Sequence, residues 1–409
     1  MEPTVSTSAS APGRTPSGSG RSSSRRTSGA DVLSFSVLHT VQPGDGGVAR
    51  VVVDLVRAQL DAGLRVAVAC PPGTPLAAAV RAEGADLFAW RAGRDPGPRL
   101  VRETRDLGRV IRTARPALVH AHSAKAGLCA RLAVRGRIPT VYQPHAWSFE
   151  AVDGAVAAAA RRWEGWAARW THRIICVSEA ERRTGEAAGV RAPWSVIHNG
   201  VDVARFGAPA PAETDLVADG SAEGPTVVCV GRLCRQKGQD VLLAAWPAVL
   251  EQVPTARLVL VGDGPDGERL RAAAPPSVRF TGNVDDTAPW YRAADLVVLP
   301  SRWEGMALAP LEAMASGRPV VVSDVDGARE SLPPGHEPLC LVPPEDPAAL
   351  AAAVGRLLGE PELRRTLGRE AHEHVLSRFD VRRTGAAVAG VYRELAGVRC
   401  TEHREPISP

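Results

Sequence analysis

Short runs of apolar, largely β-branched residues alternate with longer stretches of helical periodicity from residue 31 onward. The first series of predicted strands comprises Ser34–Thr40, Arg65–Cys70, Ala117–Ala121, Thr140–Gln143, Arg173–Val177 and Ser195–His198. The second series comprises Thr226–Gly231, Arg257–Val261, Val278–Thr281, Leu296–Pro300, Pro319–Ser323 and Leu339–Val342. Strands that alternate with helical segments indicate βαβ units and parallel sheets. The pattern therefore predicts an α/β protein of two doubly wound, Rossmann-like domains facing a central cleft, where ligands bind beyond the carboxyl ends of the strands.

Changes in composition along the chain give the predicted domain limits. Residues 1–30 are mostly Ser, Gly, Pro and Arg, which predicts a disordered tail without a signal peptide. An N-terminal domain is predicted over 31–206, a linker rich in Ala, Pro, Gly and acidic residues over 207–225, and a C-terminal domain over 226–378. The remainder, 379–409, contains a last helical pattern that could pack on either domain.

Overall composition is ordinary for a globular protein of this length. The chain has 409 residues, of which 44% are hydrophobic and 23% charged. It contains no run of about 18 apolar residues, so no membrane-spanning helix is expected. Its seven cysteines form no C-x-x-C pair, which indicates neither a disulfide framework nor a zinc site. A cytoplasmic location is expected, including the inner face of a membrane.

Charge is distributed unevenly. Residues 1–200 carry 27 basic and 16 acidic side chains, and the rest carry 22 and 29, which gives the net charge of +4. The basic half could face an anionic acceptor or a membrane, or simply be solvated. Only Lys125 and Lys237 are lysines, whereas the other 47 basic residues are arginines. Since a compact point charge cannot be replaced by Arg, these two positions are candidates for a specific role.

The segment from Glu304 to Glu312, Glu-Gly-Met-Ala-Leu-Ala-Pro-Leu-Glu, is the strongest candidate site. Pro310 suits the first turn of a helix, so Glu304 is expected before the helix and Glu312 within it. Carboxylates in these places can accept hydrogen bonds from a sugar ring and from a ribose diol. Free N–H groups at the helix start suit a phosphate. The structural alternative is a cap and one solvated glutamate.

A second candidate follows the predicted strand Thr226–Gly231. The sequence Gly-Arg232-Leu-Cys-Arg235-Gln-Lys237-Gly could bring two cations onto one ligand. A diphosphate leaving group needs such charge, with Arg binding as a fork and Lys as a point charge. Arg235 is an alternative to either cation.

The first domain contributes glycines and histidines. Gly46 and Gly47 join the first predicted strand to a helix, where backbone N–H groups could approach an anion or simply form a turn. His145 follows the strand Thr140–Gln143, where it could donate a hydrogen bond, move a proton or cap a loop. His120 and His122 should share one face of a strand, but no third metal ligand is evident. No dinucleotide or P-loop motif occurs.

Two further segments have open interpretations. Asp324-Val-Asp326 resembles a metal-binding tripeptide, but residues 324–330 are interpreted as a loop that borders the cleft. Trp163, Trp166 and Trp170 recur on one helical face among arginines. Burial against the sheet is favoured over membrane docking for this face.

Together these segments resemble the family 4 (group 1) glycosyltransferases of the GT-B fold from about residue 33 to residue 396. The matching stretches are Gly46–Gly47 and residues 118–127, 143–145, 177–179, 196–202, 231–238, 260–265, 294–301 and 304–312. The resemblance implies retaining transfer of a hexose-type sugar from a nucleotide-sugar donor, with no metal, cofactor or nucleic-acid partner. It also implies that the C-terminal helix crosses back to the first domain.

Roles of single residues are carried over from the resemblance. Arg232 and Lys237 would neutralise the donor diphosphate, and Glu312 would hold the ribose hydroxyls. Glu304 would hold the donor sugar and its phosphate together with the backbone of Gly305, Met306, Ala307 and Leu308. Gly46 and Gly47 would let the first domain close over that phosphate, and His145 would bond the sugar. The base would meet Asn283 and Val284. The implied catalytic residues are His145, Arg232, Lys237 and Glu304.

Substrate identity is less well defined. Met306 and Ala307 stand where Phe and Gly are common in the family, which affects the fit of the donor sugar. UDP is favoured over GDP on family frequency alone. Residues 120–127 resemble the corresponding segment of enzymes of polysaccharide and lipid-linked glycan assembly. A glycan or lipid-linked acceptor is therefore expected. The alternatives are a nucleotide-sugar 2-epimerase, which would need no acceptor, and a non-catalytic sugar-nucleotide-binding protein.

Overall fold

A computed structural model describes residues 35–94, 97–208 and 224–402, with side chains described up to residue 397. The predicted tail 1–30, most of the predicted linker 207–225 and residues 403–409 lie outside the described residues. Within the described part of the chain, no helix is long and apolar enough to cross a membrane.

Two parallel sheets form the centres of two α/β domains. The strands of the first are β1 (Ser36–Val41), β2 (Arg65–Cys70), β3 (Asp86–Ala89), β4 (Leu118–His122), β5 (Thr140–Gln143), β6 (Arg173–Cys176) and β7 (Trp194–Val196). Their order is β3-β2-β1-β4-β5-β6-β7. The strands of the second are β8 (Thr226–Val230), β9 (Arg257–Val261), β10 (Val278–Gly282), β11 (Leu296–Leu299), β12 (Val320–Ser323) and β13 (Leu341–Val342). Their order is β10-β9-β8-β11-β12-β13.

Helices connect these strands and cover both faces of each sheet. In the first half they are α1 (Gly46–Asp61), α2 (Pro75–Ala82), α3 (Leu100–Ala114), α4 (Ser123–Val134), α5 (Gly154–Ala167), α6 (Glu179–Ala187) and α7 (Val203–Gly207). In the second half they are α8 (Gln239–Gln252), α9 (Gly267–Ala273), α10 (Ala288–Ala293), α11 (Leu308–Ala315), α12 (Ala328–Ser331), α13 (Glu337–Cys340), α14 (Pro347–Gly359), α15 (Pro361–Arg378) and α16 (Val381–Glu402).

Alternation along the strands divides the core between two faces of the first sheet. In β1, Val37 and Val41 belong to one apolar cluster, whereas Leu38 belongs to the cluster on the opposite face. Successive side chains of a strand point to opposite faces, so apolar runs buried on both sides are expected in such a sheet. His39 shares the face of Val37 and Val41.

The order of each sheet reverses at its centre, between β1 and β4 in the first and between β8 and β11 in the second. The carboxyl ends at such a switch point are where doubly wound domains bind ligands. The fold prediction of two doubly wound domains is therefore confirmed, and each switch point presents its loops on the side where a cleft was predicted.

The last helix contacts the first domain. Helix α16 packs against α1, and Tyr392 lies fully buried with its hydroxyl 2.6 Å from Nδ1 of His120. At the start of this return, the backbone of Val201 pairs with that of residues on either side of Asp380. The chain thus passes from the second domain back onto the first.

Candidate active site

The loop after β8 places Lys237 against Glu304. It contains a 3-10 turn over Arg235–Lys237, and Lys237 Nζ lies 2.5 Å from Oε1 of Glu304, which also accepts a hydrogen bond of 2.7 Å from the Ser301 hydroxyl. Gly238 (φ +66°) closes the turn, where a Cβ would lie 2.0 Å from the carbonyl oxygen of Pro300. Only glycine therefore lets this loop pack against the end of β11.

Two arginines of the same loop have different surroundings. Arg232 is half-buried and forms no ion pair with any described residue, while Gln239 donates to its backbone carbonyl. Arg235 is exposed, and its guanidinium lies 5.7 Å from the centroid of the Trp303 ring. The alternative that Arg235 replaces Lys237 is not supported by this geometry, because Lys237 holds the contact with Glu304.

The segment Glu304–Leu308 faces the first domain. A Cβ on Gly305 would lie 2.8 Å from Val177 and 3.0 Å from the Ala146 nitrogen, so the two domains meet closely here. The Met306 carbonyl accepts a hydrogen bond of 2.7 Å from the Asn199 side chain. Ala307 precedes α11, and Leu308 begins it. The backbone N–H groups of this helix start are thus held beside Glu304.

The glycine pair at the start of α1 lies on the opposite wall. Gly46 is the first residue of the helix and has φ +73°, and a Cβ on Gly47 would lie 4.0 Å from the side chain of Leu308. The switch points of the two sheets therefore face each other across this short distance.

Glu312 lies one turn into α11 and is buried. Its Oε2 accepts a hydrogen bond of 2.8 Å from the hydroxyl of Tyr291. Burial raises the pKa of this carboxyl, while the bond from Tyr291 and the charges of Arg50 and Arg205 act in the opposite direction. Glu312 is thus an oriented acceptor with one oxygen committed to Tyr291.

His145 lies on a strained loop. His145 (φ 59°) and Ala146 (φ 113°) are consecutive non-glycine residues with positive φ, which costs about 1–3 kcal/mol each. Glu181 holds this loop, because its two carboxylate oxygens accept hydrogen bonds of 2.7 Å from the N–H groups of Ala146 and Val177. Burial raises the pKa of Glu181 to about 8, against those two bonds.

Four histidines lie together beneath this loop. The expectation that no third ligand accompanies His120 and His122 is wrong, because β1 pairs with β4 and places His39 directly opposite His120. The ring nitrogens of these three buried residues lie within 4.8 Å of one another. His39 and His122 are also 2.9 Å apart, and His122 lies 3.1 Å from Nε2 of His145. Hydrogen bonds therefore account for most of these contacts.

The two residues predicted to meet the base are Asn283 and Val284. Asn283 is exposed and Val284 is half-buried against the apolar core, directly after the edge strand β10. No hydrogen bond is recorded between either residue and the other candidate residues in the described part of the chain.

The interpretation of residues 324–330 as a loop is wrong for their last three residues, which belong to helix α12 (Ala328–Ser331). The segment contacts the first domain and does not form a paired-carboxylate site. Asp324 pairs with Arg329 at 2.7 Å, whereas Asp326 accepts a hydrogen bond of 2.8 Å from Thr184 of the first domain. Glu330 accepts from the backbone N–H groups of Glu179 and Ala180, at 2.8 Å each, and lies 3.0 Å from Nε2 of His198. Burial opposes ionisation of Glu330, but these bonds outweigh it and hold its pKa below the usual range.

Sequence reasoning missed several of these residues. His39 lies in a largely buried strand that also contains Ser36 and Thr40, and only its position opposite His120 identifies it. Glu181, Asn199 and Glu330 act through backbone groups that are distant in sequence. A signal existed for Asn199 and Glu181, because both lie within or beside the matching stretches 196–202 and 177–179.

Comparisons with known proteins agree with this arrangement. Residues 45–205 match the family model described as Glycosyltransferase Family 4, and residues 224–360 match the one described as Glycosyl transferases group 1. The lipopolysaccharide core biosynthesis mannosyltransferase LpcC of Rhizobium leguminosarum bv. viciae is 34% identical over 251 residues, which cover 59% of this chain and 70% of LpcC. A glycogen synthase of Mycobacterium tuberculosis is 31% identical over 342 residues, 80% of each chain.

Solved structures show the same fold. HepE of Anabaena, crystallised in complex with UDP and glucose, superposes with a TM-score of 0.77 at 24% identity, over 88% of this chain and 100% of HepE. Because the identity to HepE is low, this likeness shows the fold alone. The family assignment rests on the two family models and on the glycogen synthase, 80% of whose length is matched. The chain therefore belongs to glycosyltransferase family 4 and is a glycosyltransferase of the GT-B fold.

Proposed function

We propose that this glycosyltransferase moves a hexose-type sugar from a nucleoside diphosphate to an acceptor with retention of anomeric configuration. The favoured donor is a UDP-sugar, and the acceptor is a growing polysaccharide or a lipid-linked glycan. The observation that carries the proposal is the contact of 2.5 Å between Lys237 and Glu304 beside the start of α11. The complex of HepE with UDP and glucose supports the uridine base, and the names of LpcC and the glycogen synthase support a hexose.

Positive charge and N–H donors converge where a diphosphate would lie. Lys237 supplies a point charge, Arg232 a guanidinium without an ion-pair partner among the described residues, and the helix start at Leu308 free N–H groups. Helix N-termini and cations both favour phosphate oxygens. Because these groups provide the charge, the proposal includes transfer without a metal ion. Glu312 would accept hydrogen bonds from the ribose hydroxyls with its free oxygen.

The chemical step balances without an enzymatic nucleophile. The bond between the anomeric carbon and the β-phosphate oxygen breaks, and its electron pair leaves with the phosphate. The acceptor hydroxyl oxygen attacks from the same face, and its proton passes to the departing phosphate oxygen. Lys237 and Arg232 stabilise the negative charge that develops on this leaving group. Glu304 and His145 would orient the sugar.

A direct test is slow hydrolysis of UDP-sugars in the presence of chelator, followed by NMR of the first-formed anomer. The proposal predicts release of UDP and of the α-anomer from an α-linked donor. A β-anomer formed first would contradict retention, and turnover that requires added Mg²⁺ would contradict metal independence. Conversion of the donor into a second nucleotide sugar would instead identify an epimerase. Tight donor binding with no turnover would identify a non-catalytic binding protein.

A membrane-facing acceptor is supported by the outer face of α5. Val156 and Trp166 are 62% and 42% exposed there, and Arg169 stacks on Trp166 with its guanidinium carbon 4.9 Å from the ring centroid. Trp163 and Trp170 are half-buried, whereas the sequence favoured burial of all three tryptophans against the sheet. Exposed apolar groups among arginines suit an anionic lipid surface.

Co-sedimentation with vesicles that contain phosphatidylglycerol tests this contact. Trp166→Glu should reduce the bound fraction, because it removes an apolar contact and adds negative charge to the face. Val101→Glu is the matched control, since Val101 is 59% exposed on α3. Equal binding of both variants and the wild type would contradict docking through α5.

A further inference from the structure

A continuous row of hydrogen bonds leads from helix α1 to His145. Nε2 of His39 lies 2.8 Å from Oε1 of Gln59, and Nδ1 of His39 lies 2.9 Å from Nε2 of His122. Nδ1 of His122 lies 3.1 Å from Nε2 of His145. His39, His122 and Gln59 are 0 to 1% exposed, so water does not reach the contacts that join them, whereas His145 at the end of the row is half-buried. Each imidazole is therefore bonded at the nitrogen that faces its neighbour.

Gln59 gives the row a direction. Its carbonyl oxygen faces His39, and its amide nitrogen donates to the hydroxyl of Tyr392 at 3.4 Å. The hydroxyl of Tyr392 lies 2.6 Å from Nδ1 of His120 and donates a hydrogen bond to it. A carbonyl oxygen can only accept, so His39 must carry its proton on Nε2. Its bare Nδ1 then accepts from His122 Nε2–H, and the bare Nδ1 of His122 accepts from His145 Nε2–H.

Burial keeps the row uncharged. It lowers the pKa of His39 to about 4 and that of His145 to about 3, and it holds the pKa of His122 well below the usual range. Each ring thus carries one proton near neutral pH, as the direction of the row requires. An imidazolium at His39 or His122 would place two donors against each other.

We propose that Gln59, His39 and His122 are positioning residues that fix the ring proton of His145 on Nε2, and so present Nδ1 as an acceptor for a hydroxyl of the transferred sugar. The sugar contact rests on the proposed function, whereas the proton order is a property of the free enzyme. A hydrogen-bond partner at one ring nitrogen of a histidine sets its tautomer and leaves the other nitrogen for the ligand.

The test begins with the free enzyme, labelled with ¹⁵N at histidine, in long-range ¹H–¹⁵N spectra. The proposed row predicts a proton on Nε2 and none on Nδ1 for His39, His122 and His145, with ring protons protected from exchange. A proton on Nδ1 of His39 or His122 would overturn the proposal. So would loss of these ring protons on addition of one equivalent of Zn²⁺ alone, because that result identifies a metal site formed by His39, His120 and His122.

Variants then separate positioning from packing. His39→Phe interrupts the row. His120→Phe introduces the same phenyl ring into the histidine cluster, but at a position that does not belong to the row. We expect the donor KM to rise about five- to tenfold in His39→Phe, as for one lost hydrogen bond, and less than about twofold in His120→Phe. His39→Asn keeps an acceptor at the position of Nδ1 and should restore donor affinity. An equal rise in both phenylalanine variants, or no rescue by Asn, would overturn the positioning role.

The NMR spectra test the order of the ring protons, and donor KM tests the contact of His145 with the sugar. Suppose that the ring protons follow the predicted order and respond only to His39→Phe, but that donor KM is unchanged in all variants. The proton order of the row is then correct, and the contact of His145 with the sugar is wrong. That outcome overturns the second half of the proposal together with the assigned role of His145.

Discussion

Lys237 and Lys125 retain an amine in a chain that otherwise uses arginine. Lys125 lies buried, with Nζ 2.7 Å from Oε2 of Glu103, and Lys237 lies 2.5 Å from Glu304. Both pairs join a compact ammonium to a largely buried carboxylate, a geometry that a planar guanidinium fits poorly. The first pair joins helix α4 to helix α3. The second lies where the proposal places the donor phosphate.

Removal of the Lys237 charge should abolish most turnover. Lys237→Ala leaves Glu304 without its partner and the leaving phosphate without a point charge, so kcat should fall at least about 100-fold. Arg235→Ala is the matched control, because Arg235 belongs to the same turn but packs over Trp303. Steady-state kinetics with UDP-sugar measures both. A wild-type rate in Lys237→Ala, or an equal loss in both variants, would contradict the assignment.

Sequence motifs point to single residues, whereas contacts between distant segments leave no such motif. The roles of Glu304, Lys237 and Gly305 stay predictions; these residues were identified because each belongs to a spaced motif beside a strand end. His39 was not, because its role depends on the strand register that places it opposite His120. Register is a property of the folded sheet and leaves no local mark on the sequence.

At the level of elements, helix α6 fixes the loop that carries His145. Glu181 in its first turn accepts from Ala146 and Val177, so the helix start, the end of β6 and the strained loop form one unit. The geometry at His145 therefore depends on a fully buried carboxyl.

Glu181 should also make stability depend on pH. Its folded-state pKa is raised from 4.5 to about 8, so the folded protein holds a proton that the unfolded chain loses between those values. The stability contributed by this proton is present below about pH 4.5 and is lost as pH rises through about 8. The difference in thermal midpoint between wild type and Glu181→Gln should consequently shrink from pH 5 to pH 8.

Calorimetric scans across that range measure the effect. Glu186→Gln is the matched control, because it removes a partly exposed carboxylate from the same helix. A difference that stays constant or grows with pH would show that Glu181 is ionised throughout.

The elements themselves were largely predictable. All twelve predicted strands are present with ends within two residues, because buried parallel strands are continuous apolar runs. Strand β3 was missed, since Asp86–Ala89 lies at the sheet edge, is exposed at both ends and lacks such a run.

For the whole molecule, the segment 324–330, which ends in helix α12, joins the two domains by hydrogen bonds. Glu330 of the second domain accepts from two N–H groups in the first turn of α6, and Asp326 accepts from Thr184. A carboxylate at a helix start is favoured by the helix dipole as well as by its hydrogen bonds. The same domain boundary includes the close approach of Gly305 to Val177 and Ala146.

Glu330→Gln should loosen that closure. The amide keeps one acceptor but turns its NH₂ toward a second N–H group, so we expect about tenfold weaker donor binding and a larger radius of gyration by X-ray scattering. Glu345→Gln is the control, because Glu345 pairs with Arg302 inside the second domain and is largely exposed. Identical scattering and donor affinity in Glu330→Gln and wild type would contradict a role in closure.

Contacts of this kind were beyond sequence reasoning. The two domains are predicted separately by their own apolar periodicity, but no local pattern states which loop of one meets which helix of the other. The loop 324–330 was interpreted as a border of the cleft, yet its partners Glu179, Ala180 and Thr184 became visible only in the folded chain.

The most direct test of the donor site is calorimetric titration of the enzyme with UDP, GDP, ADP and dTDP in the presence of chelator. We predict selective binding of one nucleotide, UDP, unaffected by chelator and weakened at least about tenfold in Lys237→Ala but not in Arg235→Ala. Binding of none of these nucleotides, or equal affinity of Lys237→Ala and wild type, would contradict a donor diphosphate held between Lys237 and the start of α11.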